Sequence, residues 1–205
     1  MTASFQPGRV YAIFGDNGAG KSTLLRVICG LASATAGTVR IFGKRERSEF
    51  TARLGYMGHA PMLYDEMTGM ENLRYFAGLY GIADNAHCEH AIAAVGLDPA
   101  LPRRVGEYSQ GMRQRMSLAR AAIHDPEILL LDEPFSNLDP SSARAMGRLV
   151  AEMRNHGKTV LVVTHQAAHL AGIADESLWM SAGRVAAWEQ GIVAAERATA
   201  SVVLS

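Results

Sequence analysis

Gly15-Asp16-Asn17-Gly18-Ala19-Gly20-Lys21-Ser22 decides the fold of this chain. The octet fits G-x-x-x-x-G-K-[ST]. It stands between an apolar run, residues 9–14, that reads as a strand and a stretch, residues 22–29, that reads as a helix with Gly30 placed to end it. Glycines at this spacing let backbone N–H groups turn inward around a phosphate, and the helix N-terminus adds its positive end. On that reading Gly15, Asp16, Asn17, Gly18, Ala19 and Gly20 line a phosphate cradle that continues into Thr23. Lys21 puts a point charge on the β- and γ-phosphates, and Ser22 offers its hydroxyl to Mg²⁺. A glycine-rich loop with a chance lysine is the bland alternative, and the strand–loop–helix placement argues against it.

Outward from this loop the chain alternates strands and helices. Residues 38–42 and 54–57 read as strands. Thr68-Gly-Met-Glu71 is a capping box opening a helix over 71–80, with Leu73, Phe76, Ala77 and Tyr80 on one face. A second helix is expected near 88–95, ending at Gly96, and a third from Ser109 to about 123. This helical stretch, about 70–123, reads as a subdomain inserted into an α/β core. Residues 128–131 form a buried-strand run, and Asp139-Pro140 caps and starts a helix to about 155. Residues 159–163 form another strand, and 178–180 with 185–188, joined at Ala182-Gly183, suggest a closing hairpin. The domain is placed at 1–190, with 191–205 as an Ala-rich tail.

The run Ile128-Leu-Leu-Leu-Asp132-Glu133 delivers two carboxylates at the carboxyl end of a strand, where α/β sheets put ligands. Asp132 is expected to reach Mg²⁺, and Glu133 to orient an attacking water. Tyr108-Ser109-Gln110-Gly111-Met112 reads as a helix cap, with Gly111 allowing close backbone approach.

The chain has 205 residues, 48% hydrophobic and 20% charged, with 20 Lys+Arg against 20 Asp+Glu. That composition is ordinary for a folded domain, and zero net charge gives no field toward nucleic acid or anionic lipid. No apolar run approaches the roughly 20 residues of a membrane span, and the N-terminus lacks a signal peptide's pattern. Two cysteines, Cys29 and Cys88, make no disulfide scaffold, so a reducing compartment is expected; Cys29 reads as a small hydrophobe behind the loop. His87-Cys88-Glu89-His90 reads as a solvated helix start rather than a metal cluster, and Arg113, Arg115 and Arg120 as solvated or paired with acids.

The order of loop, helical insertion, Ser-x-Gly cap, Asp-Glu strand, Ser136-Asn137-Leu138-Asp139 and Thr164-His165 resembles the nucleotide-binding subunit of an ABC transporter, over about residues 8–188. The resemblance implies a P-loop NTPase core of the ABC ATPase type with ATP and Mg²⁺ as cofactors. It also implies ATP hydrolysis in a head-to-tail homodimer, where the loop of one chain faces Ser109 and Gly111 of the other. His165 corresponds to a switch histidine at the γ-phosphate, and Asp139 to an aspartate that couples the two sites. Asp139 is equally well read as an N-cap. The family signature is usually Leu-Ser-Gly-Gly-Gln, from which residues 108–112 depart at three of five places. The implied partner is a separate integral membrane permease docked near residues 55–80, with no nucleic acid, and the implied location is cytoplasmic, at the inner face of the cell membrane.

His59 stands where the family has a glutamine that senses Mg²⁺ and the membrane subunit, and it is kept as a Mg²⁺-side candidate beside a plain turn histidine. The sequence Gly58-His59-Ala60-Pro61, followed by Glu71-Asn72-Leu73-Arg74-Tyr75, is similar to the haem-exporter ATPases of cytochrome c maturation. Only 14 residues precede Gly15, so the N-terminal β region of the family is expected to be truncated. No residue matches the aromatic that stacks on adenine, a loss of about 1–3 kcal/mol, and a sheet edge is left uncovered. Two other readings stay open: a non-transport ATPase of DNA repair or translation, and an ATP-binding module without turnover.

Overall fold

The computed structural model describes residues 3–45 and 47–192. Six strands form one sheet: β1 (Val10–Gly15), β2 (Leu54–Met57), β3 (Ile128–Asp132), β4 (Thr159–Val163), β5 (Glu176–Ser181) and β6 (Arg184–Gln190), in the spatial order β2-β3-β4-β1-β5-β6. The first five run parallel, and β6 closes the sheet antiparallel to β5. Every residue of β1 and β4 is buried, which is why their sequences are continuous apolar runs.

The pleat sorts these residues onto two faces. Val10, Ala12 and Phe14 join Leu129, Leu131, Val160 and Val162 beneath Ala143, Met146 and Val150 of α5 (Pro140–Asn155). Tyr11 and Ile13 join Leu130, Leu161 and Val163 under Leu25 of α1 (Lys21–Ile28). A third cluster holds the inserted helices together: α2 (Gly69–Leu79), α3 (Asn85–Ala94) and α4 (Gln110–Ala122) meet through Leu73, Ala77, Cys88, Ile92 and Met116.

The caps set the helix boundaries. Thr68 and Glu71 make the reciprocal capping box of α2, so that helix starts at Gly69, two residues before the sequence-based start. Asp84 accepts from the Ala86 amide and starts α3 at Asn85. Tyr80, expected on the apolar face of α2, is instead its half-exposed C-cap and stacks on His124, with ring centroids 3.9 Å apart.

The strand expected at 38–42 does not form. Ile41 and Lys44 make one isolated bridge around a tight turn in which Phe42 and Gly43 take positive φ. With no neighbouring strand to complete a ladder, the apolar pattern buries Ile41 alone. The edges of the described sheet are β2 and β6. Phe5 packs edge-on to Tyr11 and beside Trp188, partly buried against the core. In the expected 191–205 tail, residues 193–205 lie outside the described residues.

The register places the working edge. β3, β4 and β1 are adjacent, with Asp132 opposite Val163 and Val163 opposite Ile13. The loops leaving these three carboxyl ends therefore open side by side.

Candidate nucleotide site

Gly15 leaves β1 at φ 139°, and a Cβ there would collide with the carbonyl oxygen of Met180 in β5. Gly18 and Gly20 also take positive φ, at 79° and 93°. Gly20 is the N-cap of α1 with no side-chain cap, so no cap side chain competes for the first-turn N–H groups. Lys21 is buried, and its Nζ donates to the carbonyls of Gly15 at 2.7 Å and Asp16 at 2.9 Å. A third ammonium proton is left over for a ligand. The loop therefore presents backbone donors and one cation around a concavity, the arrangement that binds polyanions.

Ser22, the next residue, donates its hydroxyl to Asp132 Oδ1 at 2.9 Å. Asp132 is buried, and its Oδ2 has no hydrogen-bond partner among the described residues. A buried bare carboxylate oxygen costs free energy unless something donates to it. A hydrated divalent cation meets that need, so Ser22 and Asp132 fit Mg²⁺, whose shell usually keeps several waters.

Glu133 follows in a left-handed conformation, φ 54°, with its amide donating to Val163 O at 2.8 Å. Such a φ on a non-glycine residue costs about 1–3 kcal/mol and persists only where the surroundings enforce it. The strained turn lifts the carboxylate to His165: Oε1 is 3.2 Å from Nε2, and Oε2 accepts from the His165 amide at 3.4 Å. The His165 side chain is 48% exposed, against 14% for Glu133.

One cleft of about 500 Å³ is lined by Asn17, Gly18, Ala19, Gly20, Lys21, Ser22, Thr23, His59, Glu133, Ser136, His165 and Gln166; Asp132 joins it only through Ser22, and Gly15 and Asp16 only through the Lys21 ammonium. His59 is thus at the cleft, on the loop leaving β2. The only rings in this lining are its two imidazoles; no residue there supplies an adenine stack. Ser136 and Gln166 are additions that the sequence reading did not select. Gln166 is held by its amide to Thr164 Oγ1 at 3.0 Å and by its Nε2 to Phe135 O at 3.4 Å. Its signal was position alone, one residue past His165.

Ser109, Gly111 and Asp139 lie elsewhere, with no hydrogen bond to the cleft residues among those described. Ser109 caps α4, accepting from the Met112 amide at 3.3 Å, and is exposed. Gly111 is buried against Ser142, whose hydroxyl a Cβ would strike. Asp139 caps α5 through the amides of Ser141 and Ser142, and the two serine hydroxyls hold its carboxyl well below the usual carboxylate range. Gly111 and Asp139 meet at Ser142, and none of the three residues lines the cleft of its own chain.

The readings set aside on the sequence have ordinary occupants. The start of α3 is not wholly solvated as expected: Cys88 is buried in the core and His87 Nε2 is 2.6 Å from Ile123 O; no group of three or more His, Cys, Asp or Glu side chains able to hold a metal occurs among the described residues. Arg113 pairs with Asp65, while Arg115 donates to Gly96 O and Arg120 to Tyr56 O and Pro61 O. Cys29 is buried behind α1.

Residues 1–136 match the family model described as ABC transporter. The ABC transporter ATP-binding protein NatA of Bacillus subtilis is 35% identical over 192 residues, covering 90% of this chain and 78% of NatA. A fluoroquinolones export ATP-binding protein of Mycobacterium tuberculosis is 36% identical, covering 88% of this chain and 60% of its own length. The bacitracin transport ATP-binding protein BcrA of Bacillus licheniformis is 34% identical, covering 80% of this chain and 55% of BcrA. Among solved structures, a dimeric ATP-binding cassette in a post-hydrolysis state bound to ADP and Pi superposes with a TM-score of 0.82 at 25% identity, covering 92% of this chain and 88% of that one. An ATP-binding subunit of an ABC transporter superposes at 0.80 with 29% identity, covering 92% and 81%. The chain belongs to the ABC transporter family, as one of its ATP-binding subunits.

Proposed function

We propose that this chain hydrolyses ATP to drive an export permease in the membrane. The observation that carries the proposal is the single cleft joining the glycine loop, Lys21, Ser22, Glu133 and His165. In this reading the amides of residues 15–20 and the Lys21 ammonium hold the β- and γ-phosphates, with Thr23 extending the cradle. Ser22 and Asp132 hold Mg²⁺, which when bound offsets phosphate charge. Glu133 orients a water in line with the γ-phosphorus and takes its proton as the new P–O bond forms. The bond to the β,γ-bridging oxygen breaks, and ADP and phosphate leave. His165 fixes the Glu133 carboxylate and faces the charge that develops on the transferred group.

Ser109, Gly111 and Asp139 enter through a second copy. Their own chain does not bring them to its cleft, and a head-to-tail pair would set each Ser109–Gly111 cap on the other's triphosphate. A dimeric structural neighbour bound to ADP and Pi supports pairing of two copies. Permease docking is assigned to residues 55–80, where Met62, Tyr64, Tyr75, Leu79 and Tyr80 are all exposed. Exposed apolar side chains at this density fit a partner surface. The location that follows is the cytoplasmic face of a membrane. No helix among the described residues is long and apolar enough to cross one.

Export is supported by the relative named for fluoroquinolones export; the relative named for bacitracin supports transport without giving its direction. Haem export is a second reading, favoured by His59 in Gly58-His59-Ala60-Pro61 at the cleft edge. The accompanying Glu71-Asn72-Leu73 segment carries no cargo information. Glu71 completes a cap, Asn72 clasps the loop backbone at Tyr64 and Thr68, and Leu73 is core. Purification of the chain with its membrane partner, followed by transport of haem or of an amphipathic drug into vesicles, separates the two cargoes.

The test of the ATPase assignment is Glu133→Gln with ATP and Mg²⁺. Hydrolysis is expected to stop and a stable dimer to accumulate; full turnover by the variant refutes the role given to Glu133.

A further inference from the structure

We infer that the backbone amide of Gly183, at the tip of the β5–β6 hairpin, is a positioning group for phosphate binding, acting through the Ala19–Gly20 peptide. The inference rests on the phosphate-cradle reading above. The hairpin turns at Ala182 and Gly183, both at positive φ, 47° and 74°. Its tip lies against the glycine loop. The Gly183 N–H donates to Ala19 O at 3.0 Å. A Cβ on Gly20 would sit 3.5 Å from the Gly183 Cα, and one on Gly15 would collide with Met180 O. One hairpin thus touches the loop at its first, fifth and sixth residues.

The Ala19 contact has a directional consequence. In a trans peptide the C=O and N–H point to opposite sides of the chain, and the plane turns as one unit. All peptide bonds of the described residues are trans. Pinning the Ala19 carbonyl to the hairpin therefore aims the Gly20 N–H the other way, into the cleft that Ala19, Gly20 and Lys21 line. Gly20 is the N-cap of α1, so this amide sits at the positive end of the helix. Without the pin, a peptide between Ala19 and a glycine at φ 93° has little to stop it rotating, because glycine tolerates both hands of φ. Donors fixed before the ligand arrives do not pay an ordering cost when it binds.

The test replaces single amides by esters in the full chain. Glycolic acid at position 183 deletes that N–H, adds no side chain and keeps the left-handed turn available. Glycolic acid at position 191 is the control, deleting the amide that donates to Asp175 O at 2.8 Å at the far end of the same hairpin. Both esters are expected to lower the ligand-free melting temperature similarly. Only the 183 ester is expected to weaken ADP, by about tenfold, since part of one charge-assisted hydrogen bond is lost. Equal ADP affinities for the two esters would show that the Gly183 amide is structural only. Lys21→Ala is run alongside. If it binds ADP as the unmodified chain does, the cradle reading itself fails and this inference with it. If it loses ADP while the 183 ester does not, the inference alone fails.

Discussion

Oδ1 of Asp132 accepts from Ser22, while Oδ2, in the same buried position, has no donor among the described residues. Asp132→Asn keeps the shape and the Ser22 bond but presents an amide where a hydrated cation would donate. The unmodified chain is expected to bind ATP more tightly in Mg²⁺ than in EDTA. In Asp132→Asn that ratio should shrink by about tenfold, the scale on which a lost metal partner acts. Calorimetric titration in the two buffers measures it, and an unchanged ratio removes Asp132 from the metal site. Residues of this kind were legible in the sequence because their chemistry is local. Gly15, Gly20, Lys21 and Ser22 follow one another along a loop, and Asp132 and Glu133 end one strand. Ser136 and Gln166 were not legible, because only the folding of two loops over one cleft brings them to it. Gly111 was read as allowing close backbone approach, and within the chain the group that approaches it is Ser142; a contact between α4 and the start of α5 leaves no periodic mark on either.

The helical insertion meets the sheet partly through His124, which follows α4. Its Nε2 lies 3.0 Å from Leu54 O in β2, its ring stacks on Tyr80 at the end of α2, and Nδ1 is buried without a partner among the described residues. Burial pushes the imidazole pKa below its ordinary value, against smaller upward effects of the Leu54 bond and the Asp125 charge; Lys158 and Arg120 act downward. The unfolded chain therefore binds the His124 proton first as pH falls. The stability this residue contributes is present above about pH 6.5 and is lost as pH drops through the folded value. His124→Phe, which keeps a ring for Tyr80, is expected to show a shallower decline of melting temperature between pH 7 and 5. Equal slopes would locate the acid sensitivity elsewhere. In the same subdomain Leu73 is fully buried between α2, α3 and α4. Leu73→Ala should cost about 2–5 kcal/mol in denaturant unfolding, the range for a leucine-sized hole in a packed core. At this scale the sequence was most informative where a cap or a period of 3.6 spoke, as at Thr68 and Ser109. It misled at 38–42, where alternation without a neighbour cannot make a strand.

In the proposed reading, two surfaces of the described residues await partners. One is the exposed apolar stretch of residues 62–80, where Leu79, 67% exposed, is expected to tolerate Glu without loss of fold or nucleotide affinity. Leu79→Glu should nevertheless fail to co-purify with the membrane subunit; retention of the partner would move the docking site elsewhere. The other surface is the Ser109 cap, exposed and outside the lining of its own cleft. If a second copy completes the site, binding and dimerisation are separable, because one chain holds the phosphates by itself and the partner's cap only adds to them. Ser109→Glu places a negative charge where the partner's γ-phosphate would lie, and like charges juxtaposed across an interface cost several kcal/mol. In a Glu133→Gln background it should therefore leave ADP affinity of the monomer within about twofold, since Ser109 is outside that cleft, yet raise the ATP-dependent dimer dissociation constant by about a hundredfold or more. Sedimentation with ATP and Mg²⁺ reads the dimer, and calorimetry with ADP reads the monomer. A parallel loss of both would mean that Ser109 serves its own chain's nucleotide; a dimer as tight as that of Glu133→Gln alone would place the interface away from the α4 cap.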